Sequence, residues 1–140
     1  MMRRSLAAIP LMAAVGLVAC GGGSAAPTSI PSGPSGSLGV MTAEAGAQTL
    51  AALCDLRATT DRDPANALFF DRAHQTLHVL AAATETVDRV PAAGVLEAKQ
   101  TVEADLQADA LPEAFPDDVR GLLETTRTAL ETLDLPAPAC

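Results

Sequence analysis

Both histidines of the chain fall in one stretch, Phe69-Phe70-Asp71-Arg72-Ala73-His74-Gln75-Thr76-Leu77-His78. Spacings of three and then four residues place Asp71, His74 and His78 on one face of a helix. Two imidazoles one turn apart can chelate a transition metal, and a carboxylate on the preceding turn is a sensible third ligand. Capture of Zn or Cu is the chemistry such a face supports. Glu85 continues the stripe, and Glu97, Glu103 and Asp105 on facing helices are candidates to complete a ligand shell. The competing reading is a half-buried helix edge whose polar side chains reach water or their neighbours. The pair lacks the intervening Glu of a metalloprotease helix, and no cysteine lies beside it.

Other chemistry is poorly represented. Every Ser precedes Gly39, and neither Thr nor Cys54 sits in a recognisable nucleophile motif. Asp61 with Asp63, Asp105 with Asp109 and Asp117 with Asp118 read as solvated faces or helix starts. No enzymatic activity and no cofactor are expected. The chain has no Trp or Tyr and only three Phe, which argues against aromatic cages and base-stacking surfaces. Nine Lys and Arg against seventeen Asp and Glu leave no basic stripe for phosphates, so nucleic acid is not an expected partner.

The elements that must position these residues are helical. Ala, the best helix former, occurs 29 times, and no segment shows the alternation of a strand. Thr42 can cap a first helix running to about Thr60, with Ala43, Ala47, Leu50 and Cys54 as its apolar repeat. Asp63 followed by Pro64 reads as the start of a second helix reaching about Asp88. Its inner face would carry Phe69 or Phe70, Ala73, Leu77, Leu80, Thr84 and Val87. A third helix from about Ala92 to Asp109 presents Val95, Ala98, Val102 and Leu106. Pro116 opens the last, with Val119, Leu122, Leu123, Thr126, Leu130 and Leu133 in one stripe and Asp117 and Asp118 at the positive end of its dipole. An all-α up-and-down bundle over residues 42–140 follows, of four helices, or three if Pro91 only kinks one.

The chain begins Met1, Met2, Arg3, Arg4, continues with an apolar run from Leu6 to Val18, and reaches Leu17-Val18-Ala19-Cys20. A charged start, an apolar centre and small residues before a break make a secretory signal over residues 1–19. The run is short for a membrane span, which needs about 20 residues. Residues 20–41 are Cys20 followed by Gly, Ser, Pro, Ala and Thr almost throughout, without a charge, and read as a flexible tether.

Leu17-Val18-Ala19-Cys20 resembles the lipobox of bacterial lipoproteins, and the layout resembles that of the short helical lipoproteins of high-GC bacteria. The resemblance implies diacylglyceryl transfer to the Cys20 sulfur and cleavage between Ala19 and Cys20. Two or three acyl chains would make a membrane anchor that is effectively permanent. Gly21 and Gly22 follow in place of the Asp that signals inner-membrane retention in that family. Loss of Arg3 and Arg4 with the signal would deepen the net charge from −8 to −10, a surface that stays soluble beside a membrane.

With Cys20 assigned to lipid, Cys54 and Cys140 remain in an exported domain, where disulfides are favoured. Cys54 would lie about 18 Å along the bundle from the end where the last helix stops. An extended six-residue tail reaches about 20 Å, so a bridge is feasible. A buried free Cys54 with a loose tail thiol is the alternative. The expected function is that of a lipid-anchored binding or accessory module on the extracytoplasmic side of the cell membrane, with the membrane itself and an envelope protein as partners. The alternative is a metal-binding protein using Asp71, His74 and His78.

Overall fold

A computed structural model describes residues 39–140 of the chain. The expected signal, Cys20 and most of the tether lie outside the described residues. Within them the fold is an all-α bundle, with α1 over Ala43–Arg57, α2 over Arg62–Leu68, α3 over His74–Glu85, α4 over Arg89–Gln107 and α5 over Phe115–Thr132. A π-helical turn, Phe69–Ala73, joins α2 to α3 without a break, so the chain forms four rods rather than five. The rods alternate in direction. α3 packs on α4, α4 on α5, and α5 on α1, while the π turn lies against α1 and closes the ring. No helix among the described residues is long and apolar enough to cross a membrane.

Each helix start has a local cause. Thr42 accepts a hydrogen bond from the Ala45 amide at 3.2 Å, as its type predicts. The second rod begins two residues earlier than Asp63-Pro64 suggests. Asp61 holds the extended N-cap position, and Pro64 sits in the first turn, where its missing N–H has no intrahelical carbonyl to lose. Pro91 likewise lies in the first turn of α4. The break falls before it, at Thr86–Asp88, because Asp88 Oδ1 accepts from the Val90 amide at 2.8 Å. The four-helix alternative is therefore the observed one.

The core is mostly aliphatic. Phe69 and Phe115 are the only aromatic rings fully buried, among Leu50, Leu53, Leu56, Leu77, Leu80, Leu106, Leu122, Leu123 and Leu130. Phe69 faces inward and Phe70 outward, which resolves the choice left by the sequence. The inner face of α1 differs from the expected one. Gly46, Thr49, Leu50, Leu53 and Leu56 are buried, whereas Ala43 is exposed and Ala47 and Cys54 lie at the edge. Met41, assigned to the tether by composition, is also buried, and Val87 is exposed beyond the end of α3.

Cys54 and Cys140 are joined by a disulfide, with their Cα atoms 5.6 Å apart. The tail reaches Cys54 because α5 ends in a Schellman turn. Asp134 takes a positive φ of 55°, the Leu135 amide donates to the Leu130 carbonyl at 2.9 Å, and the Asp134 amide donates to that of Glu131 at 3.0 Å. This reverses the chain and sends Leu135 to Cys140 back along α1. The sequence separation of 86 corresponds to about 4.6 kcal/mol in the chain-entropy model, an upper figure for the bond's contribution.

Gly46 marks the closest approach of α1 and α5. A Cβ there would stand 2.7 Å from Leu130 Cδ2, inside the core. At Gly94 the nearest atom would be Thr125 Cγ2 at 3.6 Å, and at Gly121 there is open space. Gly94→Ala and Gly121→Ala should each stabilise the fold by about 0.5–1 kcal/mol through helix propensity. Gly46→Ala should instead lower stability by about 1 kcal/mol or more, because the overpacking of Leu130 outweighs that gain. Urea unfolding of the three variants checks the contrast.

Candidate functional site

Of the residues singled out for chemistry, His74, His78 and Glu103 meet at the α3/α4 interface, though not as the spacing predicts. His74 and His78 stand one turn apart at the start of α3 with ring centroids 4.8 Å apart. Asp71 does not join them. It lies inside the π turn, whose wider i→i+5 pitch takes it out of step with the α-helical spacing, and it is exposed. Among the described residues no three His, Cys, Asp or Glu side chains come together as a metal site. The expected ligand set thus reduces to the histidine pair.

The group that His74 does meet is Glu103 of α4. His74 Nε2 donates to Glu103 Oε1 at 2.9 Å, and Lys99 Nζ donates to the same oxygen at 2.7 Å. Lys99 is only 4% exposed. Its stem lies along the helix interface, and its ammonium finds its partner one turn along α4. Glu103 was one of several carboxylates that the sequence offered on facing helices, but Lys99 gave no signal. A cationic residue at an inner helical position reads as surface until its partner is known.

His78 lies just beyond this pair. Burial first, then the positive charge of Lys99 and the neighbouring His74, lower its pKa against the opposing pull of Glu103. The folded protein thus disfavours protonated His78. From about pH 6.5 downward the unfolded chain takes up that proton more readily, so this group reduces stability as the pH falls through that window.

His78 also lines a groove between α3 and α4 of about 540 Å³. Gln75, Glu85 and Arg89 supply its other polar atoms, over a floor of Ala81, Ala82, Ala92, Ala93 and Leu96. Its size falls within the range of small-molecule sites, and its small side chains let a ligand approach both helix backbones. The cluster and the groove form the candidate site: a fixed charged pair at one end, an apolar trough, and a polar rim at the other.

A second titratable pair lies close by, two residues beyond Glu103 on α4, where α4 meets α5. Asp105, in the last turn of α4, has Oδ2 buried without a hydrogen-bond donor. Burial first, and then the Asp118 carboxylate and the hydrogen bond a protonated Asp105 makes to it, raise its pKa. The partner comes from the first turn of α5 rather than from Asp109, because the α4–α5 connection folds back. Asp117 is paired instead with Arg120 at 2.9 Å. The nearby Leu106 carbonyl, left over at the end of α4, accepts from Arg62 Nε at 3.1 Å and Asn66 Nδ2 at 3.4 Å, which ties α2 to α4.

Comparison of the chain with protein-family models, curated proteins and solved structures finds no match in any of the three.

Two outcomes follow from these clusters. Glu103→Gln leaves the Lys99 ammonium buried without a counter-charge and should cost about 3 kcal/mol, whereas Lys99→Met should cost much less because it removes the charge that needs compensation. Chemical denaturation of both variants at pH 7 measures the difference. Asp105→Asn should raise stability at pH 7 by up to about 1 kcal/mol, since the amide donates to Asp118 without repelling it. The native Asp105 binds its proton more tightly than the unfolded chain does, so wild-type stability falls as the pH rises through the raised pKa. The advantage of the Asp105→Asn variant should therefore shrink toward pH 4, as thermal melts across that range would record.

Proposed function

We propose that this chain is a lipid-anchored module of the cell envelope, held at the extracytoplasmic face of the membrane through Cys20 and binding its ligand or partner with the exposed part of the bundle. The observation that carries this reading is the Cys54–Cys140 bond. Structural disulfides form and persist in oxidising compartments. With three cysteines in the sequence and two joined to each other, Cys20 is the one outside the bond, at the end of an apolar run preceded by two arginines. The α3/α4 groove supplies a surface of suitable size for a bound molecule. The net charge of −10 after removal of the leader suits a domain that must stay in solution beside anionic lipid.

The test is direct. Cells expressing the chain and fed an alkyne-tagged fatty acid should label it, and its mature form should begin at Cys20 and fractionate with membranes. Cys20→Ser should lose both label and membrane association while retaining the Cys54–Cys140 bond by non-reducing mass analysis. A Cys20→Ser chain that still takes up label and stays in the membrane fraction would overturn the reading.

A further inference from the structure

The bundle has two unlike ends. Five large apolar side chains are exposed among the described residues, and the three most exposed, Val40 at 88%, Val90 at 78% and Val87 at 63%, all belong to one end. There the chain enters at Gly39, the α3–α4 turn crosses from Thr86 to Asp88, and α5 stops. A groove of about 550 Å³ opens at this end, with Val40, Met41, Thr86, Leu133 and Leu135 among its lining, so the entry segment and the start of the turn share one surface. Phe70 and Leu96, the other two, are exposed at 42% and 37% on helix flanks.

The display is held in place. The Asp88 side chain caps α4 through the Val90 amide at 2.8 Å, and the Val87 and Asp88 amides both donate to the Thr84 carbonyl, at 2.9 and 2.8 Å. This fixes Val87 on the turn and Val90 in the first turn of α4, with Asp88 and Arg89 between them. Arg89 makes no ion pair among the described residues. A cation on a long apolar stem, next to Val90 and two residues from Val87, suits the boundary between acyl chains and headgroup phosphates.

We propose that this end of the bundle is a bilayer-contacting tip, in which Val40, Val87 and Val90 enter a phospholipid surface and Arg89 reaches its phosphates. The proposal rests on anchoring through Cys20. Eighteen residues lie between Cys20 and Gly39, and a Gly/Ser-rich coil of that length would span about 25 Å root-mean-square, so the valine end is the one such a tether would hold near the membrane. Glu85, Asp88 and Asp134 close to the tip favour a zwitterionic surface over a strongly anionic one.

The chain contains no Trp, so a single introduced indole reports without background. The full lipidated protein carrying Val87→Trp or Val90→Trp, reconstituted in phosphatidylcholine vesicles, should show a blue shift and loss of emission when the acyl chains are brominated. Ala110→Trp, in the connection at the far end, should show neither. Adding Val40→Asp and Val87→Asp to the Val90→Trp chain should abolish the quenching with the helical circular dichroism unchanged. Co-flotation of every variant without quenching at the tip would leave the anchor standing and overturn the tip. Absence of co-flotation would overturn the anchor and the tip together. A blue shift that is insensitive to bromine and disappears on dilution would assign the surface to a second copy of the chain and overturn the lipid proposal.

Discussion

The bond between Cys54 and Cys140 closes a ring that contains the end of α1 and every later helix of the chain. Around it the remaining interactions fall into place. The Schellman turn after Thr132 serves to bring the tail back. Leu135 and Ala137 then pack on the core as the tail runs toward Cys54, and Arg127 of α5 donates to the Pro138 carbonyl at 3.4 Å. A core with only two buried rings gains modestly from burial per residue. Thr84 and Thr126 also bury hydroxyls that find no partner, each a desolvation cost of about 1–3 kcal/mol. Restricting the unfolded chain is an effective way to hold such a core together, because it adds stability without adding apolar volume.

Close helix approach is the second device. Gly46 lets α1 settle against Leu130, and the alanines at Ala52, Ala65, Ala73, Ala81 and Ala129 are buried at other helix contacts. Small residues bring backbones together at the expense of side-chain volume, which makes the few large side chains decisive. Phe69 is the main one. It stacks edge-on with Phe70 at 5.1 Å and lies 5.9 Å from His74, so the π turn that places it also orients the first histidine of the site.

How much of this was legible in the sequence depends on whether a feature is local. The helical class and the α5 stripe were readable, because Val119, Leu122, Leu123, Thr126 and Leu130 stand out against polar neighbours, whereas four helices or three stayed open at Pro91 until the Asp88 cap decided it. The inner face of α1 was not, since Ala appears on several of its faces and the deciding contact is the absence of a side chain at Gly46. The π turn left no mark in Phe69–Ala73, and it moved Asp71 away from the histidines. The disulfide was legible as a feasible reach from chain geometry. The His74–Glu103–Lys99 cluster and the Asp105–Asp118 pair were legible only as lists of charged residues, because each partner is chosen by how two helices meet. Val87, read as core, fell one turn beyond the last packed position of α3 and became surface.

An antiparallel bundle of this kind has grooves between neighbouring helices, and this chain treats two of them differently. The groove beside α1 and α5 is crossed by the tail, with Leu135 and Ala137 packed on the core, the Pro138 carbonyl held by Arg127 and Cys140 bonded to Cys54. The groove between α3 and α4 is floored by small residues but receives no segment of the described chain. Its walls are nevertheless fixed, since the doubly bonded Glu103 oxygen ties His74 to Lys99 and the Asp88 cap locks the turn at the other end. A groove that is apolar, open and rigidly bounded is preorganised, so an occupant would bind without first ordering the helices that line it. The covalent ring and the salt-bridged interface thus have complementary effects: one lays the protein's own tail across a groove, and the other holds the α3/α4 groove open and in shape.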